Sequence, residues 1–133
     1  MSDETRILAG ILLLSLVTVE TGGLYLVRLW RSSEGITEFQ VGFARAGHAH
    51  AGVLLVLSLT ALLYADTAGL TGGWNWVARS GVPLAAILMP AGFFAASAGQ
   101  GRDRPNGLIA LVFAGAVVLA LGLASLGIGL LVA

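Results

Sequence analysis

The chain has 133 residues, of which 57% are hydrophobic and only 11% charged, and its formal net charge is zero. A soluble domain carries about a quarter charged residues, so this composition excludes an ordinary soluble domain and indicates a membrane protein. Cysteine is absent, which excludes disulfides, thiolate metal ligands and iron–sulfur clusters. Seven arginines supply all the positive side-chain charge, and the balanced total indicates no nucleic-acid partner.

Four apolar segments, over residues 7–30, 41–65, 76–98 and 108–133, are each long enough to cross about 30 Å of hydrocarbon as a helix. We therefore predict an all-α, polytopic membrane protein, a single domain over residues 1–133 that forms a four-transmembrane-helix bundle. The first segment follows an acidic leader and is too long for the apolar region of a signal peptide. We expect it to be a retained helix.

Arginine is distributed unevenly over the predicted loops. The loops between the first two and the last two segments, with their flanks, carry five of the seven arginines, namely Arg28, Arg31, Arg45, Arg102 and Arg104. The opposite side carries only Arg6 and Arg79. The positive-inside rule therefore predicts cytoplasmic arginine-rich loops and external termini, in a bacterial-type inner or plasma membrane.

Two histidines, His48 and His50, lie within the second apolar segment and are the only histidines of the chain. An ionisable side chain at membrane depth is costly, so it indicates a functional site. Imidazole is a common ligand of metals, and we favour haem b over copper or zinc. Residues two apart on a helix point about 200° apart. Either the two histidines serve different sites, or one is a ligand and the other is a hydrogen-bonding or subunit-interface residue. A purely structural pair, bonded to backbone carbonyls or to each other, is the remaining alternative.

Small residues and one arginine surround His48 at helical spacing, namely Ala44, Arg45, Ala51 and Gly52. This pattern indicates a flat face that suits a planar macrocycle. Arg45 lies one turn nearer the polar boundary, where guanidinium groups bind carboxylates such as haem propionates. Arg102 and Arg104 could join the same cluster, so we count Arg45, Gly52 and both loop arginines as candidate cofactor-binding residues.

Glu20 lies about ten residues, or roughly 15 Å, from the arginine-rich end of the first segment. The histidines lie at a similar depth in the second segment, so antiparallel neighbours would bring the three side chains level. Three roles are open for Glu20: a structural ion pair, a proton-coupling carboxylate, or a catalytic-pocket residue that fixes the tautomer of a ligand histidine. Phe94 is expected to pack in the bundle and could also contact substrate. Asp66 is expected to be a solvated loop charge.

The last two segments carry signatures of their own. Pro83 and Pro90 are expected to interrupt the third, and Pro90 frees a backbone carbonyl near mid-membrane. The fourth has no charge, and its small residues predict close packing within the bundle and between protomers. These residues are Ala110, Ala114, Gly115, Gly122, Ser125, Gly127 and Gly129.

The start of the second segment, Gly42-Phe43-Ala44-Arg45-Ala46 followed by histidine, resembles the styrene oxide isomerases. These are small four-helix membrane proteins whose corresponding stretch reads Trp-Ala-Arg-Ala-His. The aromatic run Gly92-Phe93-Phe94 and the polar loop that ends Arg104-Pro105-Asn106-Gly107 are also similar. Chain length, helix count and the order of these features agree over most of the sequence, although only the histidine motif is specific.

The resemblance implies a haem b between the subunits of a homotrimer, with His48 as the axial ligand. Because Gly47 is inserted relative to the family pattern, His50 remains an alternative. In the family, ferric iron acts as a Lewis acid on a lipophilic epoxide, which rearranges to an aldehyde. Phe94 stands where the family has a tyrosine, and residues 53–57 are aliphatic where it has an asparagine. Haem binding therefore matches better than isomerase activity.

Two other functions fit the same sequence. Small proton-coupled multidrug exporters resemble this chain in size and in carrying one glutamate within the first helix, which would make Glu20 the coupling residue. A b-type electron-transfer or haem-sensing membrane subunit would use the histidines for haem without any substrate. The exporter function leaves both histidines unexplained, so we rank it below haem binding.

Overall fold

The computed structural model describes residues 1–32 and 34–132. These residues form four helices, α1 (Asp3–Arg31), α2 (Glu38–Ala65), α3 (Gly72–Ala96) and α4 (Ala110–Val132), with a 3₁₀ turn at Gly107–Ile109 before α4 and no strand among them. All four are long and apolar enough to cross a membrane. The predicted all-α chain with four helices able to span a membrane is therefore confirmed for the described residues.

The first three helices begin three or four residues before the apolar segments that predicted them, because their first turns are polar. Ser2 caps α1 by accepting a hydrogen bond from the Thr5 amide. Thr37 and Gln40 form a reciprocal capping box at the start of α2. Such caps satisfy backbone N–H groups that the helix itself leaves unpaired.

The helices pack in chain order, and α3 is the central one. It packs extensively against both α2 and α4, whereas α1 packs mainly on α2. The apolar core joins α1, α2 and α3 through Leu12, Leu54, Leu55, Leu62, Ala86 and Met89. This arrangement leaves one face of α2 exposed along its length.

The interruption predicted at Pro83 and Pro90 is wrong, because α3 is one continuous helix through both prolines. Each proline removes one backbone hydrogen bond. Close contact with α4 accompanies this loss: a Cβ built on Gly81 would lie 2.6 Å from Cα of Gly122. Packing on α4 thus holds α3 in helical form.

Polar contacts join the loops at both ends of the bundle. At one end, the side-chain amide nitrogen of Gln40 donates to the backbone carbonyls of Ser97, at 2.9 Å, and Gly99, at 2.7 Å. At the other, Ser2 lies against Asp66, with 2.9 Å between the Ser2 amide and the carboxylate. The two arginine-rich loops therefore share one end, and the N-terminus lies at the opposite end.

Candidate cofactor-binding face of α2

His48 and His50 project from opposite flanks of α2, because the helix is unbroken between them. His48 packs on α1, where a Cβ built on Gly22 would lie 3.1 Å from its Nδ1 and one on Gly23 3.7 Å from its Nε2. His50 packs toward α3, with 4.8 Å between its ring centroid and that of Phe93. The two imidazoles of one chain are therefore not arranged to bind a common ion.

The hydrogen bonding of the two rings also differs. Nδ1 of His50 lies 2.8 Å from the Ala46 carbonyl oxygen. Because a carbonyl only accepts, Nδ1 carries the proton and Nε2 of the neutral ring keeps its lone pair. His48 makes no hydrogen bond to any residue that the structure describes.

Two apolar grooves flank the exposed stripe of α2. The larger, of about 410 Å³, is lined by His48, Ala49, Gly52, Val53 and Val56. The smaller, of about 170 Å³, is lined by His50 with Ala49, Val53 and Leu54. Ala49 and Val53 border both grooves, and sequence reasoning did not single them out. Ala49 lies between the two histidines and Val53 three residues after His50, so their shared face of the helix was the available signal.

Arg45 lies on the same flank of α2 as His48, one turn nearer the arginine-rich end. It lines a further groove, of about 430 Å³, with Trp30 and Glu38 among its neighbours. Arg102 and Arg104 lie at that end too, but in the loop after α3. The structure thus brings Arg45, His48 and Gly52 together on one face, while the two loop arginines share only the end of the bundle.

Glu20 is exposed on α1 and makes no hydrogen bond or ion pair with the described residues. The predicted match in depth is confirmed, since Gly22 and Gly23 of the same helix contact His48. The predicted ion pair of Glu20 with a histidine or an arginine is therefore not formed among the described residues.

Phe94 packs across α2 at Gly47, where a Cβ would lie 2.9 Å from the phenyl ring. The glycine that precedes His48 therefore accommodates an aromatic side chain of α3. Sequence reasoning treated Gly47 only as an insertion and missed this contact. Phe94 itself remains 42% exposed.

A polar cluster at the opposite end corrects one prediction. Asp66 is not a solvated loop charge: its carboxylate pairs with Arg79 at 2.8 Å, and the two side chains are only 15% and 9% exposed. Burial opposes ionisation of Asp66, but the Ser2 amide and the side chains of Arg79, Thr5 and Ser2 all donate to it. Together they hold the pKa of Asp66 well below its ordinary value.

Within residues 1–32 and 34–132, no group of three or more His, Cys, Asp or Glu side chains is placed to hold a metal ion. A copper or zinc site built from one chain therefore lacks a ligand set in that part of the molecule. A porphyrin supplies four of the iron ligands itself, so haem needs only one imidazole. No family model, curated protein or solved structure matches this chain.

Proposed function

We propose that the protein is a membrane haem b-binding protein in which His48 is the axial ligand and Arg45 binds a propionate. The observation that carries this proposal is the coincidence of three features on one face of α2. These are an imidazole without an internal hydrogen-bond partner, an apolar groove of about 410 Å³, and an arginine one turn nearer the polar end.

The residues of this face suit a planar apolar group. Ala49, Gly52 and Val53 are short enough to let a macrocycle approach the helix backbone, and the groove has almost no polar surface. The guanidinium of Arg45 offers two parallel donors to a carboxylate at the membrane boundary. Both ends of an amphiphilic cofactor thus find a matching environment.

His48 is preferred over His50 because it borders the larger groove and shares its flank with Arg45. His50 has one advantage of its own: the bond to Ala46 fixes its tautomer, as ligand histidines commonly require. Alanine substitution of each histidine, described below, distinguishes the two ligands.

A second copy of the chain is part of the proposal. Both grooves are open on the exposed face of α2, and a cofactor held there by one chain would be half exposed to lipid. Contact with another protomer would enclose the cofactor, and the trimer implied by the family resemblance provides such a contact. Small residues on exposed helix faces permit this close approach.

The extension to epoxide isomerisation follows from the same face. When bound, ferric haem with an open position supplies a Lewis acid for an epoxide oxygen. The protein contributes an apolar groove that takes up a lipophilic molecule from the bilayer. Phe94 offers no hydroxyl, so it cannot donate a proton, and it packs against Gly47 on the α3 side of α2 rather than in this groove.

The test is the visible spectrum of protein purified after expression with added haem. Wild type is expected to show a Soret band that is lost in His48→Ala and retained in His50→Ala. Arg45→Gln is expected to bind haem more weakly, by about tenfold, since one charge-assisted pair is lost. Loss only in His50→Ala assigns the ligand to His50 and overturns the assignment to His48.

A colourless wild type overturns haem binding altogether and favours the proton-coupled exporter. One observation supports that alternative: Glu20 is a carboxylate at membrane depth with no partner among the described residues. Glu20→Gln should then abolish proton-driven uptake in liposomes, because an amide cannot release a proton. If haem is bound, conversion of an aryl epoxide to an aldehyde without a reductant separates an isomerase from an electron carrier.

A further inference from the structure

A groove of about 430 Å³ lies between the end of α1 and the start of α2, at the arginine-rich end of the bundle. Leu29, Ile36 and Val41 form its apolar wall, and Glu38 and Arg45 supply its two charged side chains. This Glu38–Arg45 groove thus presents both signs of charge beside an apolar wall.

The two charged side chains of the groove are not paired with each other. Neither the Glu38 carboxylate nor the Arg45 guanidinium takes part in an ion pair of the described residues. Seven residues separate them on α2, nearly two helical turns, so they lie on the same side of the helix with Arg45 about 10 Å deeper. Side chains on a helix lean toward its N-terminus, and the long stem of Arg45 therefore brings its guanidinium toward the level of Glu38. Both charges remain available to a ligand.

The groove lies at the end of two apolar spans, where a bilayer meets water. Trp30 lines it and is 76% exposed, and tryptophan is enriched at membrane interfaces. Arg28 and Arg31 belong to the same last turn of α1. Gly42 also lines the groove, and a Cβ built on it would meet nothing within 4 Å, so the absence of a side chain leaves space there. The groove is therefore placed to receive a lipid headgroup.

We propose that the Glu38–Arg45 groove binds a phospholipid of the phosphatidylethanolamine class, with its phosphate at Arg45 and its primary ammonium at Glu38. From the membrane interior outward, such a lipid presents its acyl chains, its phosphate and then its ammonium. The deeper guanidinium and the shallower carboxylate follow the same order. A guanidinium binds phosphate through paired hydrogen bonds, and a carboxylate accepts hydrogen bonds from an ammonium. Because Arg45 has five N–H donors, a phosphate leaves donors for a propionate on the His48 face, and the proposal does not depend on haem.

The test compares phosphatidylethanolamine with phosphatidylglycerol of the same acyl chains, each titrated onto the full-length, delipidated protein and followed by native mass spectrometry. Both lipids carry the phosphate, but only the first carries an ammonium. Wild type is expected to bind the ethanolamine lipid about threefold more tightly, the effect of one exposed ion pair. Glu38→Gln should remove this preference, because an amide has no charge to pair with the ammonium. Glu34→Gln is the matched control, since Glu34 is an exposed acid of the preceding loop outside the groove, and it should keep the preference.

Two further variants test the phosphate contact and the space in the groove. Arg45→Gln should weaken binding of both lipids by about fivefold, the effect of one arginine at a membrane surface, whereas Arg104→Gln, at an exposed arginine outside the groove, should not. Gly42→Leu fills the groove and should abolish specific binding of both lipids. Gly10→Leu, at another exposed helical glycine with open space around it, should leave binding unchanged. Water-soluble glycerophosphoethanolamine should compete poorly, since it lacks acyl chains.

The proposal is overturned by equal binding of the two lipids to wild type, by a preference that survives Glu38→Gln, or by equal effects of a variant and its control. Specific binding retained in Gly42→Leu would place the lipid elsewhere and overturn it too. Efficient competition by glycerophosphoethanolamine would assign the groove to a soluble ligand instead of a lipid. A colourless protein that keeps the lipid preference refutes haem binding alone, whereas a haem-loaded protein without the preference refutes the lipid site alone.

Discussion

Asp66 and Arg79 form the one ion pair among the described residues in which both side chains are largely buried. The hydroxyls of Ser2 and Thr5 and the Asn75 side chain satisfy the remaining polar atoms around it. This cluster fixes the start of α1 to the loop after α2 and to α3. Because α1 otherwise packs mainly on α2, the cluster is its chief attachment at that end.

Asp66→Asn is therefore expected to lower the free energy of unfolding by roughly 1.5–3 kcal/mol at neutral pH, the range for hydrogen bonds to charged groups. The pKa of Asp66 is lowered in the folded state, so its stabilisation is complete above the ordinary value of 3.8 and is lost as the pH falls below it. The gap between wild type and Asp66→Asn should thus narrow in acid. Thermal unfolding followed by circular dichroism across this range measures it.

Asp3→Asn is the matched control for this prediction. Asp3 pairs with Arg6 at 3.0 Å, but both side chains are largely exposed, at 86% and 66%. Exposed pairs contribute little, so this variant should unfold close to wild type. Equal destabilisation by the two substitutions would show that burial of the Asp66–Arg79 pair is unimportant.

At this scale the sequence identified the histidines but not their surroundings. Helical spacing alone places His48 and His50 on opposite flanks, and the structure agrees. The partners of those side chains come from other helices: Gly22 on α1 for His48, Phe93 on α3 for His50. Such contacts depend on how helices rotate against each other, which local spacing does not specify. Asp66 was expected to be solvated for the same reason: its partner Arg79 lies on another helix, and local spacing does not show that contact.

The contact between α3 and α4 is the closest in the bundle. Gly115, Gly122 and Gly129 recur every seven residues, nearly two helical turns, and all three are buried. Gly122 lies directly on the backbone of α3, where its added Cβ would be 2.9 Å from Cα of Gly81. The small residues of α4 that face outward, such as Ala114 and Gly127, do not take part in this contact.

Gly122→Ala is expected to force α3 and α4 apart, because the new methyl group meets backbone atoms that have no room to move. Overpacking of this kind costs typically 1–3 kcal/mol. Gly127→Ala, on the same helix, places its methyl group in open space and should leave stability unchanged or slightly raised. Thermal unfolding of the two variants in one detergent provides the comparison, and equal melting temperatures would contradict a tight α3–α4 contact.

Hydropathy predicted all four helices because crossing a bilayer requires a long apolar run, whatever the tertiary contacts. It misplaced the beginnings of α1 and α2 because their polar first turns are stabilised by side-chain caps, whereas α3 begins early without a side-chain cap bond. The effect of the two prolines on α3 was also overestimated, because it was judged from local sequence alone. Local chemistry predicted a break at Pro83 and Pro90, but packing on α4 keeps the helix continuous.

The whole molecule has two distinct ends. One carries Arg28, Arg31, Arg102 and Arg104, and the other carries the Asp66–Arg79 cluster and the N-terminus. The structure establishes that the two arginine-rich loops share an end, since Thr37 contacts the carbonyl of Arg102. Their placement on the cytoplasmic side rests on the positive-inside rule.

Single cysteines can test this orientation directly, because the natural chain has none. Gln100→Cys lies in the arginine-rich loop after α3, and Thr71→Cys lies at the other end, in the loop before it; both positions are exposed. A membrane-impermeant maleimide is expected to label Thr71→Cys in intact cells, and Gln100→Cys only after the membrane is opened. The reverse pattern would place the arginine-rich loops outside the cell. Since arginines at a lipid boundary are favoured on the cytoplasmic side, we expect the first labelling pattern.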